Sequence, residues 1–109
     1  MAAGEVTATC GACGGTEPCG CQRALADFVA EMRVVLRENA HKGGRSGVEW
    51  QGSMGFLLRE ALYHLAKCAH AVVHVERGEG DATAATVREH AADVACTCLM
   101  IHDRVGPGP

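Results

Sequence analysis

Apolar residues recur every three or four positions along the chain, which predicts amphipathic helices. The first such stretch runs from about Gln22 to Ala40. Its apolar positions are Leu25, Phe28, Val29, Met32, Val35 and Leu36. This spacing places the apolar side chains on one helix face and most of the charged ones on the other. Gly43-Gly44 follows and is expected to end the helix.

Two further helices are predicted after a glycine-rich loop at residues 41–52. Ser53 is a candidate N-cap for the second helix, which runs to about Val75. Asp81 or Thr83 is a candidate N-cap for the third, which runs to about Asp103. The inward positions are Leu57, Leu58, Ala61, Leu62, Leu65, Cys68, Ala69, Val72 and Val73, then Val87, Ala91, Val94, Cys98 and Ile101. The sequence therefore predicts an all-α fold with three main helices.

The second and third helices are apolar or alanine-rich over more than one stripe. A helix that is apolar nearly all round is usually buried. Three helices in one monomer cannot bury both stripes, so we expect an oligomeric helical bundle, either a homodimer or a homotetramer.

Charge and composition exclude some partners. The net charge is −3 and aromatic residues make up 4% of the chain, which argues against direct nucleic-acid binding. No run of about 18 apolar residues is present, so no membrane association is expected. The first residues lack the basic flank and apolar run of a secretory signal, which favours a cytoplasmic protein with reduced thiols.

Four of the seven cysteines lie within a short segment, as Cys10-Gly-Ala-Cys13 and Cys19-Gly-Cys21. Soft ligands at this spacing, with glycines for tight turns, are typical of a small Cys₄ zinc knuckle. An iron–sulfur cluster and an unstructured, reactive tail are the alternatives. The expected organisation is a Cys-rich segment at 1–21, a helical domain at 22–105 and a frayed tail at 106–109. Cys68, Cys96 and Cys98 are expected to be small core residues.

The helices also carry a mixed set of carboxylates and imidazoles. Glu60 and His64 are four residues apart on the second helix, and His90 and Asp93 are three apart on the third. Each pair shares one helix face, so antiparallel packing would bring all four side chains together. Carboxylates suit Mg²⁺, whereas imidazoles favour Mn²⁺ or a softer divalent ion. The alternative is that both pairs are ordinary surface pairs.

Several short motifs follow one another along the helices: Phe28-x-x-x-Met32, Leu36-x-x-Asn39-x-His41-Lys42-Gly43, Arg45, Trp50, the helix 57–65, and His90-Ala91-Ala92-Asp93 followed by Leu99-Met100-Ile101-x-Asp103. Their order and the order of the helices resemble MazG-like nucleotide pyrophosphohydrolases of phages and bacteria. The helix 57–65 occupies the place of the family's E-E-x-x-E motif. His90–Asp93 occupies that of its E-x-x-D motif.

The resemblance implies an all-α, oligomeric enzyme that uses Mg²⁺ or Mn²⁺ to hydrolyse nucleoside triphosphates to monophosphate and pyrophosphate. Glu60 and Asp93 match the family's metal ligands and are the candidate catalytic residues. Ala61, His64 and His90 stand where the family has Glu. These departures are consistent with a site tuned to a softer metal ion or with an inactive one.

Four further residues are candidates for binding the nucleotide: Lys42, Arg45, Trp50 and Lys67. The cations would contact phosphates, and the indole would stack on a base or cover the site. Their alternative roles are solvated charges and, for the tryptophan, a packing anchor. The leading hypothesis is thus a pyrophosphohydrolase with an appended zinc knuckle. Its rival is a catalytically inactive helical module that acts in protein–protein interaction.

Overall fold

The computed structural model describes residues 8–107, which form three α-helices. These are α1 (Cys21–Glu38), α2 (Met54–Arg77) and α3 (Ala84–Val105), with two 3₁₀ turns at Ala40–Lys42 and Gly44–Ser46. Between residues 8 and 107 there is no strand, and the one β-bridge is isolated and pairs Thr9 with Thr16. The predicted all-α fold is confirmed. Residues 1–7 of the predicted Cys-rich segment and 108–109 of the predicted tail lie outside the described residues.

The described chain divides into two compact units between Ala30 and Glu31, within α1. The first unit holds the cysteine-rich segment and the start of α1. The second holds the rest of α1, the loop, α2 and α3. The sequence-based boundary after residue 21 stays a prediction.

The helix ends follow capping chemistry. The Ser53 hydroxyl accepts a hydrogen bond from the Phe56 N–H, as predicted for the N-cap of α2. Of the two candidates for α3, Thr83 is the N-cap and forms a reciprocal capping box with Thr86.

The first helix ends earlier than predicted, at Glu38 rather than Ala40. The Asn39 side chain donates to the Val35 carbonyl at 2.9 Å, and the chain then continues as two 3₁₀ turns. Gly43 joins these turns at a φ of 98°, and a Cβ there would lie 2.8 Å from the Gly47 Cα. The glycine therefore ends the first 3₁₀ turn, where only its backbone freedom fits.

Helices α2 and α3 pack against each other in antiparallel orientation. The start of α2 lies beside the end of α3, since the Arg104 guanidinium donates to the Trp50 carbonyl at 3.1 Å. The buried residues at this contact are mostly small: Leu57, Ala61 and Ala71 on α2, and Ala92, Cys96 and Thr97 on α3. Small side chains let the two backbones approach closely. Val35 of α1 completes a core cluster with Ala92 and Cys96.

Some positions predicted to face inward do not. Leu58, Leu62 and Leu65 of α2 are each more than half exposed within the chain. Cys96 is buried as predicted, but the prediction for Cys98 is wrong because that thiol is exposed. Two residues along a helix turn the side chain by about 200°, so Cys96 and Cys98 point to different faces.

No helix among residues 8–107 is long and apolar enough to cross a membrane.

Leu57 is 1% exposed, so its truncation should create a cavity in the second unit. We expect Leu57→Ala to lower the free energy of unfolding by about 2–5 kcal/mol. Val48, in the loop, is 88% exposed, and Val48→Ala should change it by less than about 0.5 kcal/mol. Urea unfolding at one fixed protein concentration measures both. Equal effects from the two variants would contradict this assignment of the core.

Candidate functional site

The four N-terminal cysteines come together at one point. The sulfur atoms of Cys10, Cys13, Cys19 and Cys21 all lie within 4.8 Å of one another. Cys10 is buried, whereas Cys13 and Cys19 are exposed. Each of the four cysteines offers one sulfur, and together these sulfurs are the complete donor set of a tetrahedral Cys₄ site.

A tight backbone turn builds the first half of this cluster. The Cys10 N–H donates to the Gly15 carbonyl at 2.7 Å, and the Gly14 N–H donates to the Cys10 carbonyl at 2.8 Å. Within the turn, the Ala12 and Cys13 N–H groups point at the Cys10 Sγ, at 3.3 and 3.4 Å. These two contacts fix the position of the Cys10 sulfur inside the turn, next to Cys13.

The second half of the cluster leads directly into α1, whose first residue is Cys21. The backbone N–H of Cys21 lowers the pKa of the Cys19 thiol, helped by a hydrogen bond from Cys10. Hydrogen bonds with Cys13 and Cys19 raise the pKa of Cys21 to about 11. A metal ion at the centre of the four sulfurs would be bound by all of them as ligands. The segment can therefore hold a soft metal ion such as zinc.

The cluster predicts a metal content that can be measured. We expect the purified protein to carry one equivalent of a soft divalent ion, and Cys10→Ser with Cys13→Ser to lose it, because two of four ligands are gone. Cys98→Ser is the matched control and should keep the ion. Elemental analysis by mass spectrometry measures all three proteins. Equal metal content in them would exclude the cluster as the binding site.

In the second predicted group, on α2 and α3, His64 and His90 approach Asp93, and His64 also approaches Glu60. The His64 Nε2 lies 3.9 Å from the Glu60 Oε2, and the His64 Nδ1 lies 4.0 Å from the Asp93 Oδ2. The His90 Nδ1 lies 3.7 Å from the same Asp93 oxygen. One carboxylate oxygen thus faces two imidazoles from neighbouring helices.

Both imidazole nitrogens that face Asp93 are buried atoms without a hydrogen-bond partner. Buried polar atoms are nearly always satisfied in proteins, so this pair needs an explanation. Two ligands of one ion lie at most about 4 Å apart, twice a metal–nitrogen bond. The separations from Asp93 meet that limit. Among residues 8–107, however, the four cysteines are the only group of three or more candidate ligands whose ligand atoms all lie within 4.8 Å of one another.

Glu60, His64 and Asp93 of this group line a cleft of about 390 Å³ within the second unit. Its charged lining residues are Glu38, Lys42, Glu49, Glu60, His64, Glu89 and Asp93. Sequence reasoning missed three of these acids. Glu89 lies four residues before Asp93, a spacing that could have identified it. Glu38 reaches the cleft from the last turn of α1 and Glu49 from the loop, and neither position carried such a signal.

The candidate nucleotide-binding residues lie in three different places. Lys42 lines the cleft and pairs with Glu49 at 3.4 Å. The Arg45 guanidinium donates to both carboxylate oxygens of Asp103, at 2.8 and 3.0 Å. The Trp50 indole N–H donates to the same carboxylate at 3.0 Å. Asp103 thus anchors the loop to α3, a role that sequence reasoning did not assign to it.

Lys67 lies away from the cleft, with its ammonium 4.5 Å from the centre of the Tyr63 ring. It lines a separate cavity of about 490 Å³ together with His70, His74 and His90. His90 thus faces Asp93 through one ring nitrogen and also borders this second cavity. The nucleotide-binding roles of Lys42, Arg45, Trp50 and Lys67 stay predictions.

No family model matches the chain, and no curated protein or solved structure matches it either. Its function must therefore be inferred from the residues of the site and their geometry.

The contact of Asp103 with Arg45 and Trp50 predicts how the Asp103 carboxyl titrates. Hydrogen bonds from Arg45 and Trp50 lower the pKa of Asp103. The stability that this contact contributes is therefore present above the ordinary carboxyl pKa and is lost as the pH falls through the lowered one. We expect Arg45→Gln to raise the titration midpoint of the Asp103 carboxyl, as followed by carbon NMR. Lys42→Gln should leave it in place, and a midpoint that Arg45→Gln does not move would contradict the contact.

Proposed function

We propose that the chain hydrolyses nucleoside triphosphates to monophosphate and pyrophosphate in the cleft that Asp93 lines, with a divalent ion held by Glu60, His64, His90 and Asp93. The observation that carries the proposal is the pair of buried, unpartnered Nδ1 atoms of His64 and His90 facing the Asp93 carboxylate. An ion there would satisfy these atoms and neutralise the carboxylate.

The donor set favours Mn²⁺ or Co²⁺ over Mg²⁺. Two imidazoles and two carboxylates are a softer environment than the all-carboxylate set of the resembled family. Ala61 stands where that family has Glu. Its buried methyl side chain offers no ligand atom at that position. A bound ion would lower the pKa of a coordinated water and offset charge on the phosphates.

The chain's own residues would handle the substrate. Lys42 lines the same cleft as Glu60 and Asp93, and its ammonium would contact a phosphate after leaving Glu49. Arg45 and Trp50 are held by Asp103, so they would position the loop that carries Lys42. Binding of the nucleotide by Arg45, Trp50 or Lys67 would require these side chains to leave their present contacts.

For the cysteine cluster we propose Zn²⁺, bound by Cys10, Cys13, Cys19 and Cys21 as a structural ion. A site with four protein sulfurs is closed and has no open position for a substrate. Reduced thiols at this site fit a cytoplasmic location, which we also propose.

The test is pyrophosphate release from each common ribo- and deoxyribonucleoside triphosphate with Mg²⁺, Mn²⁺ or Co²⁺. We expect activity with at least one nucleotide, highest with Mn²⁺ or Co²⁺. Asp93→Asn should reduce it at least about a hundredfold, because this carboxylate faces both imidazoles and its charge is lost.

Glu79→Gln is the matched control, since Glu79 is an exposed acid outside the cleft, and it should retain activity. Circular dichroism should show unchanged helix content in both variants. Absence of pyrophosphate with every nucleotide and ion would overturn the proposed activity, as would full activity of Asp93→Asn.

The second candidate is an inactive helical module that binds another protein. It is favoured by Ala61, His64 and His90 at positions that are acidic in the resembled family, and by the exposed leucines of α2. An inactive protein that forms a stable complex with a different protein would support this candidate.

A further inference from the structure

Helix α2 carries a second apolar face that nothing in the described chain covers. Leu58, Leu62 and Leu65 are 54%, 56% and 52% exposed, and Ala69 of the same face is also exposed. With the half-buried Val72, these five residues form what we call the outer face of α2. They lie on the side of the helix next to the buried residues Leu57, Ala61 and Ala71, which face α3.

The spacing of the outer face is that of a coiled-coil seam. From Leu58 the steps are four, three, four and three residues, and a further step of four reaches Glu76. Alternating steps of four and three repeat every seven residues and keep a seam on one side of two paired helices. The seam from Leu58 to Glu76 is about 27 Å long, which is enough for several layers of side chains.

The seam is also symmetric about Lys67. In an antiparallel pair of identical helices, each position before the centre meets the one equally far beyond it. The resulting layers join Leu58 to Glu76, Leu62 to Val72, and Leu65 to Ala69, each then repeated by symmetry. Each inner layer thus pairs a leucine with a smaller apolar residue, which suits close packing. Ala66 and Cys68 flank the centre, where small side chains permit close approach.

The charges at the ends of the seam fit the same arrangement. Arg59 and Glu76 are both exposed, and neither belongs to an ion pair formed within residues 8–107. In the antiparallel pair, Glu76 of one copy lies beside Arg59 of the other, at both ends. In a parallel pair these residues would instead lie at opposite ends, since 17 positions separate them along α2.

We propose that the occupant of the outer face is a second copy of this chain, docked through α2 in antiparallel orientation, with Arg59 and Glu76 paired across the interface. The symmetric spacing of the apolar residues about Lys67 favours a second copy of the chain as the occupant. The opposite charges of Arg59 and Glu76 favour the antiparallel orientation. The proposal stands independently of the hydrolase activity, because no residue of the seam lines the cleft.

The first test is the oligomeric state by sedimentation equilibrium on the full chain. We expect a dimer, and Leu62→Gln should raise its dissociation constant about a hundredfold or more, because a leucine is lost from two symmetric layers. Leu25→Gln is the matched control: Leu25 is a leucine of α1 that is equally half-exposed, and the dimer should persist. Circular dichroism verifies that each variant is helical. A wild-type monomer at all concentrations would overturn the proposal.

The second test fixes the orientation by exchanging charges. We expect Arg59→Glu and Glu76→Arg each to weaken the dimer roughly tenfold, because each places like charges together at both ends. The double variant should restore the wild-type dissociation constant. Single variants without effect, or a double variant no tighter than either single one, would overturn the antiparallel pairing. Because the activity assay is separate, an inactive dimer would contradict the proposed hydrolase and leave this proposal supported.

Discussion

The contact between α2 and α3 positions every other feature of the second unit. It is built on small buried residues, with Ala61 and Ala71 on one helix and Ala92 and Cys96 on the other. Small side chains bring the backbones close enough that Asp93 reaches the His64 imidazole across the gap. A larger residue at Ala92, which is fully buried, would separate the helices and with them the carboxylate from the imidazole. The contact is thus both the core of the unit and the frame of its cleft.

The loop between α1 and α2 depends on the same contact through the end of α3. Asp103 accepts hydrogen bonds from Arg45 and Trp50, and Arg104 donates to the Trp50 carbonyl. Because α3 runs antiparallel to α2, its last turn lies where the loop enters α2. The loop therefore takes its position from α3 and places Lys42 in the lining of the cleft.

The three helices and the cysteine cluster could be predicted from sequence because their signals are local. The apolar spacing predicts the helices, Ser53 predicts one cap, and the short spacing of the four cysteines predicts their cluster. The convergence on Asp93 needed one further assumption, that α2 and α3 are antiparallel neighbours. The contact of Asp103 with the loop could not be predicted. Its partners Trp50 and Arg45 precede it in the sequence by 53 and 58 positions. Nothing local distinguishes that aspartate from any other near a helix end.

The apolar pattern of α2 predicted as core several residues that are exposed within the chain. Periodicity identifies a face that avoids water but does not say what covers it. On α2 the alanines Ala61 and Ala71 face α3, whereas the leucines Leu58 and Leu62 are exposed. A close contact within the chain selects small side chains. The larger residues are left on the outer face, where a less constrained partner can accommodate them. The division of α2 into a mostly small buried face, with Leu57 as its one large residue, and an exposed leucine face is what two different contacts on one helix would require.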